Sequence, residues 1–225
     1  LNHLNDGKEE ILKMEHDWQS LCSQYDKISA KLSEKRELLI KEFDKRLVNE
    51  LSELKFPSIR VCTRIQRSEG ERRAIKGSDE VSIMLSTSKE KEPELITKIA
   101  SGGELSRIIL AIKSMMSATH NVNTLIFDEI DSGVSGSTAS AIGKKLASLS
   151  KNLQIFSVTH SPQVASKANH HYLIKKIDNQ DEDFSIQVVE IDDDERIEEI
   201  ARMLSGEKIT NQAREASKSL MYEDE

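Results

Sequence analysis

Four short stretches of the chain carry residue types at spacings that suit chemistry. The first is Ser101-Gly102-Gly103-Glu104, at the start of an apolar-periodic run. Glycines let a backbone come close to an anion, and a helix start adds unpaired N–H groups and a partial positive charge. Ser101 can cap that helix and also donate to a phosphate oxygen. Taken alone, the stretch reads equally as a plain helix start. The second is TLIFDEID, residues 124–131. An apolar strand delivers Asp128 and Glu129 to its C-terminal end, where ligands sit in open α/β sheets. Asp128 is placed to hold Mg2+, directly or through water, and Glu129 to orient and deprotonate an attacking water. Alone, this is also a strand ending in an acidic turn. The third is FSVTHSP, residues 156–162, a second apolar strand ending in His160. A lone histidine is more often structural, but one at this place can touch a terminal phosphate and sense its presence. The fourth, DSGVSG at 131–136, follows the acidic pair, and its glycines make a tight loop into the next helix.

The elements that must position these residues follow from periodicity. Helices are expected over about 103–118 and 136–150, strands at 124–128 and 154–159, and a short helix after Pro162. Strands apolar on both faces and separated by helices indicate a parallel sheet covered on both sides. HYLIKK and FSIQVVEI read as a final antiparallel pair, and 195–222 as a charged helical end. Residues 178–199 hold eleven acids against one Arg, which suits a solvated loop and helix start. Upstream, 59–65 and 81–87 alternate as strands around a turn-rich connection.

Residues 8–56 contain no Gly, and Pro57 is expected to end a long helix. Ile11, Met14, Trp18, Leu21, Tyr25, Ile28 and Leu32 follow a 3-4 heptad seam. Lys35 interrupts it, and Leu39, Phe43, Leu47, Leu51 and Leu54 then step mostly by four, a stutter near 35–43. A helix over 11–54 is about 65 Å long. Such a seam needs a partner strand, and no second heptad segment of comparable length follows. The chain starts at Leu1 inside a helical pattern, so a longer parent protein is expected.

Composition narrows the function. Charged residues make 32% and aromatics 4% of the 225 residues, which favours long solvated helices. A net charge of −7 excludes a generally basic nucleic-acid binder, leaving only a local patch. Residues 60–76 supply one: Arg60, Arg64, Arg67, Arg72, Arg73 and Lys76 against Glu69 and Glu71, a net of +4. Phosphate contacts there would be non-specific, and a charged exposed hairpin explains the patch equally well. Two cysteines, Cys22 and Cys62, without a CxxC, fit a reducing compartment. No apolar run approaches a membrane span, and no signal-peptide pattern opens the chain.

A phosphate cradle of the G-x-x-x-x-G-K-[ST] type is missing. Of the nine glycines Gly7 and Gly143 precede a lysine; at the first, Asn2 and Glu9 occupy the places of the first glycine and the Ser/Thr, and at the second Thr138 and Lys145 do. The order of signature loop, acid-tipped strand, glycine loop and strand-end histidine resembles the ABC-type ATPase head. ASGGELSR, LIFDEIDSGVSG and VTHSPQVASKANHHYLIKK resemble, more narrowly, the SMC-like coiled-coil ATPases of bacterial DNA repair, over residues 57 to about 205.

This resemblance implies the C-terminal half of an ABC-type head over 57–225, an α/β fold with a mostly parallel sheet flanked by helices. It implies that 1–56 is the returning helix of an antiparallel coiled coil, and that an N-terminal half supplies the cradle. Two heads of a homodimer would sandwich two ATP molecules. Ser101 and Gly103, with Gly102 and Glu104 in the same cofactor-binding loop, would meet the γ-phosphate of ATP held by the opposite head. Asp128 would hold Mg2+, and Glu129 and His160 would act on the ATP of their own head. Asp131, also counted with the nucleotide site, and the loop to Gly136 would lie across the head–head interface. Arg107 matches the end of the signature. The whole protein would bind and tether DNA, as double-strand ends or single strands, together with recombination machinery in the bacterial cytoplasm at the nucleoid. The alternatives are a non-catalytic coiled-coil interaction module with a degenerate head, or another SMC-type chromosome-organising ATPase.

Overall fold

The computed structural model describes residues 2–56, 58–67, 74–88, 90–98, 102–116, 123–178 and 184–222. Pro57 and Ser101 lie outside them. The chain divides into two compact units, Leu1–Val48 with Ser58–Lys98, and Asn49–Pro57 with Ile99–Glu225. The first hairpin groups with the long helix, and the last turns of that helix group with the C-terminal residues.

In the first unit, α1 (Asn2–Glu53) is a single helix of 52 residues, about 78 Å at 1.5 Å per residue. The change of register near 35–43 leaves no break in it. Ile11, Met14, Trp18, Leu21 and Ile28 are 57–68% exposed, so most of the heptad seam is bare. β1 (Arg60–Arg67) pairs antiparallel with β2 (Asp79–Ser86), from Arg60 opposite Ser86 to Arg67 opposite Asp79. β3 (Glu94–Leu95) adds to β2, and a 3-10 turn, Ile96–Lys98, follows.

The hairpin is fastened to α1 by polar residues at helical spacing. Tyr25 donates to the Ala74 carbonyl at 3.0 Å, and Ser29 meets the Ser78 hydroxyl at 2.8 Å. Ser33 donates to the Asp79 carboxylate at 2.7 and 2.8 Å, and Arg36 Nη1 donates to it at 2.9 Å. Asp44 accepts from the Thr63 hydroxyl at 2.6 Å and its backbone N–H at 3.1 Å. Burial opposes ionisation of Asp79, but the bonds from Ser33 and Arg36 outweigh it and hold the carboxyl below its ordinary value. Gly77 turns the chain with φ +90°, and a Cβ there would lie 3.0 Å from Leu32 Cδ2.

The second unit runs α2 (Gly102–Met116), β4 (Thr124–Asp128), α3 (Gly136–Ser150), β5 (Gln154–Val158), α4 (Pro162–Ala165), β6 (His171–Asp178), β7 (Phe184–Ile191), α5 (Asp193–Ser205) and α6 (Asn211–Tyr222). Its fully buried apolar side chains include Leu51, Leu54, Ile108, Leu110, Ile130, Ile142 and Ile200. Gly143 lets α3 meet α4, since a Cβ there would lie 2.7 Å from the Gln163 carbonyl oxygen.

The expected parallel pairing is confined to β4 and β5, with Thr124 opposite Gln154 and Asp128 opposite Val158. The other described strands pair antiparallel, including β6 with β7. The expectation that both faces of the parallel sheet are covered needs correction. Phe127 is 7% exposed, but on the opposite face Ile126 is 73%, Phe156 47% and Val158 51% exposed. Apolar residues on both faces report burial in a whole assembly, and this chain covers one face of these two strands. The expected helical end is built of two helices. Gly206, at φ +78°, closes α5 by donating to the Arg202 carbonyl. α6 then returns against α5, where Arg214 forks onto Glu198 at 2.6 and 3.0 Å. The acidic run has a local cause. Asp192 and Glu195 form a capping box, and Asp193, Asp194 and Glu195 fill the first turn of α5, where negative charge is favoured.

Candidate nucleotide site

β4 and β5 end side by side, and each hands its chain to a residue of interest. At the end of β4, Asp128 and Glu129 are both exposed. Glu129 has φ +46°, in the left-handed region that few non-glycine residues adopt. Its backbone N–H donates to the Val158 carbonyl at 3.1 Å, extending the strand pairing by one bond, and its carbonyl accepts from Ser132 N–H at 3.0 Å. The turn is thus held from both sides while the carboxylate faces out. Among the described residues, neither the Asp128 nor the Glu129 side chain has a hydrogen bond or ion pair.

Two residues on, the same turn buries Asp131, 3% exposed. Its Oδ2 accepts from the Thr159 hydroxyl at 2.6 Å, and the Thr159 oxygen in turn accepts from Ser161 N–H at 2.9 Å. This relay pins the backbone on both sides of His160. The His160 ring stays 71% exposed, with Nδ1 4.0 Å from Asp131 Oδ2. Asp131 therefore faces inward, onto the histidine loop. Its Oδ1 is buried without a hydrogen-bond partner. The exposed part of the loop is Ser132, Gly133 and Ser135–Ser137.

The helix start joins the cluster through one close approach. A Cβ on Gly103 would lie 2.5 Å from the Ser132 carbonyl oxygen, nearer than real Cβ atoms come. Gly103 is not in the left-handed region, so its requirement is space rather than φ. Gly102 is exposed, and a Cβ on it would meet nothing within 4 Å. The second glycine of the pair thus packs on the turn after Glu129, and the first is open to a ligand. Glu104 sits half-buried in the first turn of α2.

The structure thus brings Gly102, Gly103, Asp128, Glu129, Asp131 and His160 to one end of the β4–β5 pair. Sequence reasoning missed Thr159, Ser161 and the Ser132 carbonyl, which hold these residues in place. The Thr159–Asp131 bond spans 28 residues and has no local signature. No three His, Cys, Asp or Glu side chains among the described residues are grouped to hold a metal ion. The oxygen-only, exposed and unpaired carboxylate of Asp128 does fit one ligand position of a hard cation such as Mg2+.

The basic patch does not gather into a site among the described residues. Arg72, Arg73, Glu69 and Glu71 lie outside them. Arg60 is committed to the Ser88 and Lys91 carbonyls. Arg67 lies beside Asp79, whose carboxylate its charge stabilises. No described helix is long and apolar enough to cross a membrane.

No protein-family model matches the chain. Curated relatives do. The chain is 36% identical to the DNA repair protein RecN of Rickettsia bellii over 98% of its own length and 40% of that protein's. It is 35% identical to RecN of Treponema pallidum over 86% of this chain and 34% of that one, and 33% identical to RecN of Xylella fastidiosa over 95% and 38%. It thus resembles RecN across most of its length while spanning well under half of these relatives. Among solved structures, the Smc head domain with a coiled coil and joint from Pyrococcus yayanosii aligns with a TM-score of 0.61 at 15% identity, covering 88% of this chain and 36% of that one. The Smc head domain with an extended coiled coil from Pyrococcus furiosus aligns at 0.55 and 17% identity, covering 88% and 46%. The fold is like that of part of an Smc head domain with a coiled coil.

Proposed function

We propose that this chain, so similar to RecN, is the C-terminal portion of an SMC-like ATPase of bacterial DNA repair, active when an N-terminal half supplies the phosphate cradle. One observation carries the reading. A glycine-opened helix start, two exposed carboxylates on a strained turn and an exposed histidine on a pinned loop converge at one end of two parallel strands. Such convergence suits ATP hydrolysis better than a purely architectural head. A head kept only for architecture has no need of a glutamate in a left-handed turn.

The geometry is compatible with the following division of labour. Glu129 is the general base that orients and deprotonates the attacking water, because its carboxylate is exposed and uncommitted. His160 touches the terminal phosphate from a loop that Asp131 and Thr159 hold still. Asp131 is a positioning residue here, not a direct nucleotide contact. Asp128 would be an oxygen ligand of Mg2+, which when bound neutralises charge on the phosphates. Ser101 and Gly102 serve the ATP of an opposite head in a homodimer, with Gly103 and Glu104 shaping that helix start. The open face around Ile126, Phe156 and Val158 receives the N-terminal half, and the bare seam of α1 receives the outgoing coiled-coil helix. The whole protein would act on DNA ends or single strands with the recombination machinery, in the cytoplasm at the nucleoid.

The test mixes this chain with an N-terminal half bearing the cradle and measures ATP turnover with and without DNA. Turnover that falls at least 100-fold in Glu129→Gln supports the reading. Turnover equal to that of Glu129→Gln favours a non-catalytic interaction module. The chain alone should not bind ATP tightly, and a micromolar Kd for it would contradict the division of the site between two halves.

A further inference from the structure

Arg107 closes the signature stretch, yet the nucleotide reading gives it no task. Its surroundings do. The guanidinium carbon lies 4.4 Å from the centroid of the Phe56 ring, Nη1 donates to the Leu54 carbonyl at 3.3 Å, and Nε reaches the Gly103 carbonyl at 3.4 Å. Leu54 and Phe56 are 0% and 5% exposed. α1 ends at Glu53, and Lys55 turns out of it with φ +63°, so the Leu54 carbonyl belongs to the unsatisfied end of a helix. A cation there meets both a lone carbonyl and the negative end of the helix dipole. Burial lowers the affinity of Arg107 for its proton, and Glu104 partly restores it.

The same root of α1 is gripped a second time. Lys145 of α3 places Nζ 2.6 Å from Glu50 and 2.9 Å from Glu53. The last turns of α1 are therefore a fixed abutment inside the second unit. Arg107 is the strut between that abutment and the first turn of α2.

We infer that Arg107 is a positioning residue: anchored on Leu54 and Phe56, it holds the Gly103 carbonyl and so sets where the Gly102–Gly103 helix start presents its N–H groups to nucleotide. Planar stacking and a forked donor set are both needed, which lysine lacks. Arg107→Lys should therefore fail although the charge is kept. The inference rests on the reading that this helix start meets ATP across two heads.

The experiment uses the full-length protein carrying Glu129→Gln to trap engaged heads, and follows ATP-dependent dimerisation by sedimentation. Arg107→Lys and Arg107→Gln are added to that background, and ATP affinity of the monomer and the melting midpoint are measured beside it. We expect both variants to weaken dimerisation at least 10-fold, with monomer ATP affinity within twofold and melting within a few degrees. In the protein with Glu129 intact, kcat should fall at least 10-fold at unchanged KM. Dimerisation and kcat equal to the parent's in Arg107→Lys would overturn the inference, as would a loss confined to monomer ATP affinity. If the Glu129→Gln parent itself does not dimerise with ATP, the two-head reading fails first and this inference goes with it. Should Arg107→Gln unfold, the milder Arg107→Lys decides.

Discussion

Replacing Gly103 by alanine separates two explanations of a glycine at that place. If the residue is there to admit an anion, a methyl group costs the fold nothing. If it is there to admit the Ser132 carbonyl, the methyl costs both stability and geometry. A Cβ built on Gly103 lies 2.5 Å from that oxygen, about 0.9 Å short of the 3.4 Å at which ordinary contact begins. The obstacle is backbone, in a turn fixed by the Ser132 N–H bond to Glu129, so relief requires moving the helix start or the Glu129 turn. Overpacking of this kind costs about 1–3 kcal/mol. Alanine in a helix returns up to about 1 kcal/mol over glycine. The expected net loss is about 1 kcal/mol, or roughly 2–4 °C in melting midpoint for a chain of this size. A displacement near 1 Å beside reacting groups costs on the order of 100-fold in rate. The assay is thermal unfolding of this chain together with ATP turnover of the full protein. Gly102→Ala is the internal control for stability, because nothing lies within 4 Å of its Cβ. A Gly103→Ala protein that melts at or above the parent's midpoint and turns over ATP within twofold of it would refute the reasoning.

Other perturbations follow from the same structure. Asp79→Ala removes the carboxylate acceptor shared by Ser33 and Arg36, leaving them the Ser29 and Lys76 carbonyls, and should cost about 1–3 kcal/mol in denaturant unfolding of the chain. The folded-state carboxyl titrates below its ordinary value, so the staple contributes fully above about pH 4 and is lost as pH falls through the lowered value. The difference between parent and Asp79→Ala should accordingly be flat from pH 7 to 5 and shrink below 4, as an acid titration of stability would record. Gly143→Ala drives a methyl to 2.7 Å from the Gln163 carbonyl and should destabilise by about 1–3 kcal/mol in urea. Asp131→Ala orphans the Thr159 hydroxyl and should cost about 1–3 kcal/mol, with Asp131→Asn, which keeps an acceptor, losing less in the same measurement.

Much of the second unit is legible locally. β4 occupies the expected residues 124–128, α3 the expected 136–150, and the β6–β7 pair forms from HYLIKK and FSIQVVEI. Each is written in a short apolar period bounded by its own turn signals. The long helix was equally plain, but its contact face was not. Heptad counting selects apolar residues, whereas the face that docks in this chain is Tyr25, Ser29, Ser33, Arg36 and Asp44, of which the seam includes Tyr25 and passes over the rest. Serines in a helix interior were the available hint, since they are indifferent helix formers that earn their place through a partner. In the site, residue types suggest a chemistry but carry no sign of the bracing. Thr159, the Ser132 carbonyl and the Leu54 carbonyl act across 28, 29 and 53 residues respectively. Contacts between residues so far apart are decided by the fold, not by any local pattern. The acidic run reads as a solvated loop and helix start, and the capping box with three acids in the first turn is that helix start.

The backbone at Glu129 has a consequence for anyone who alters this protein. A left-handed φ of +46° on a residue with a Cβ is disfavoured, and glycine or asparagine would sit there with less strain. A screen that rewards thermal stability alone will therefore tend to replace Glu129, and, under the proposed role of that residue, the clones it enriches will be the best folded and the least competent. Improvement of this fold by stability selection has to hold position 129 fixed, or it will optimise the scaffold by discarding what the scaffold was bent to present.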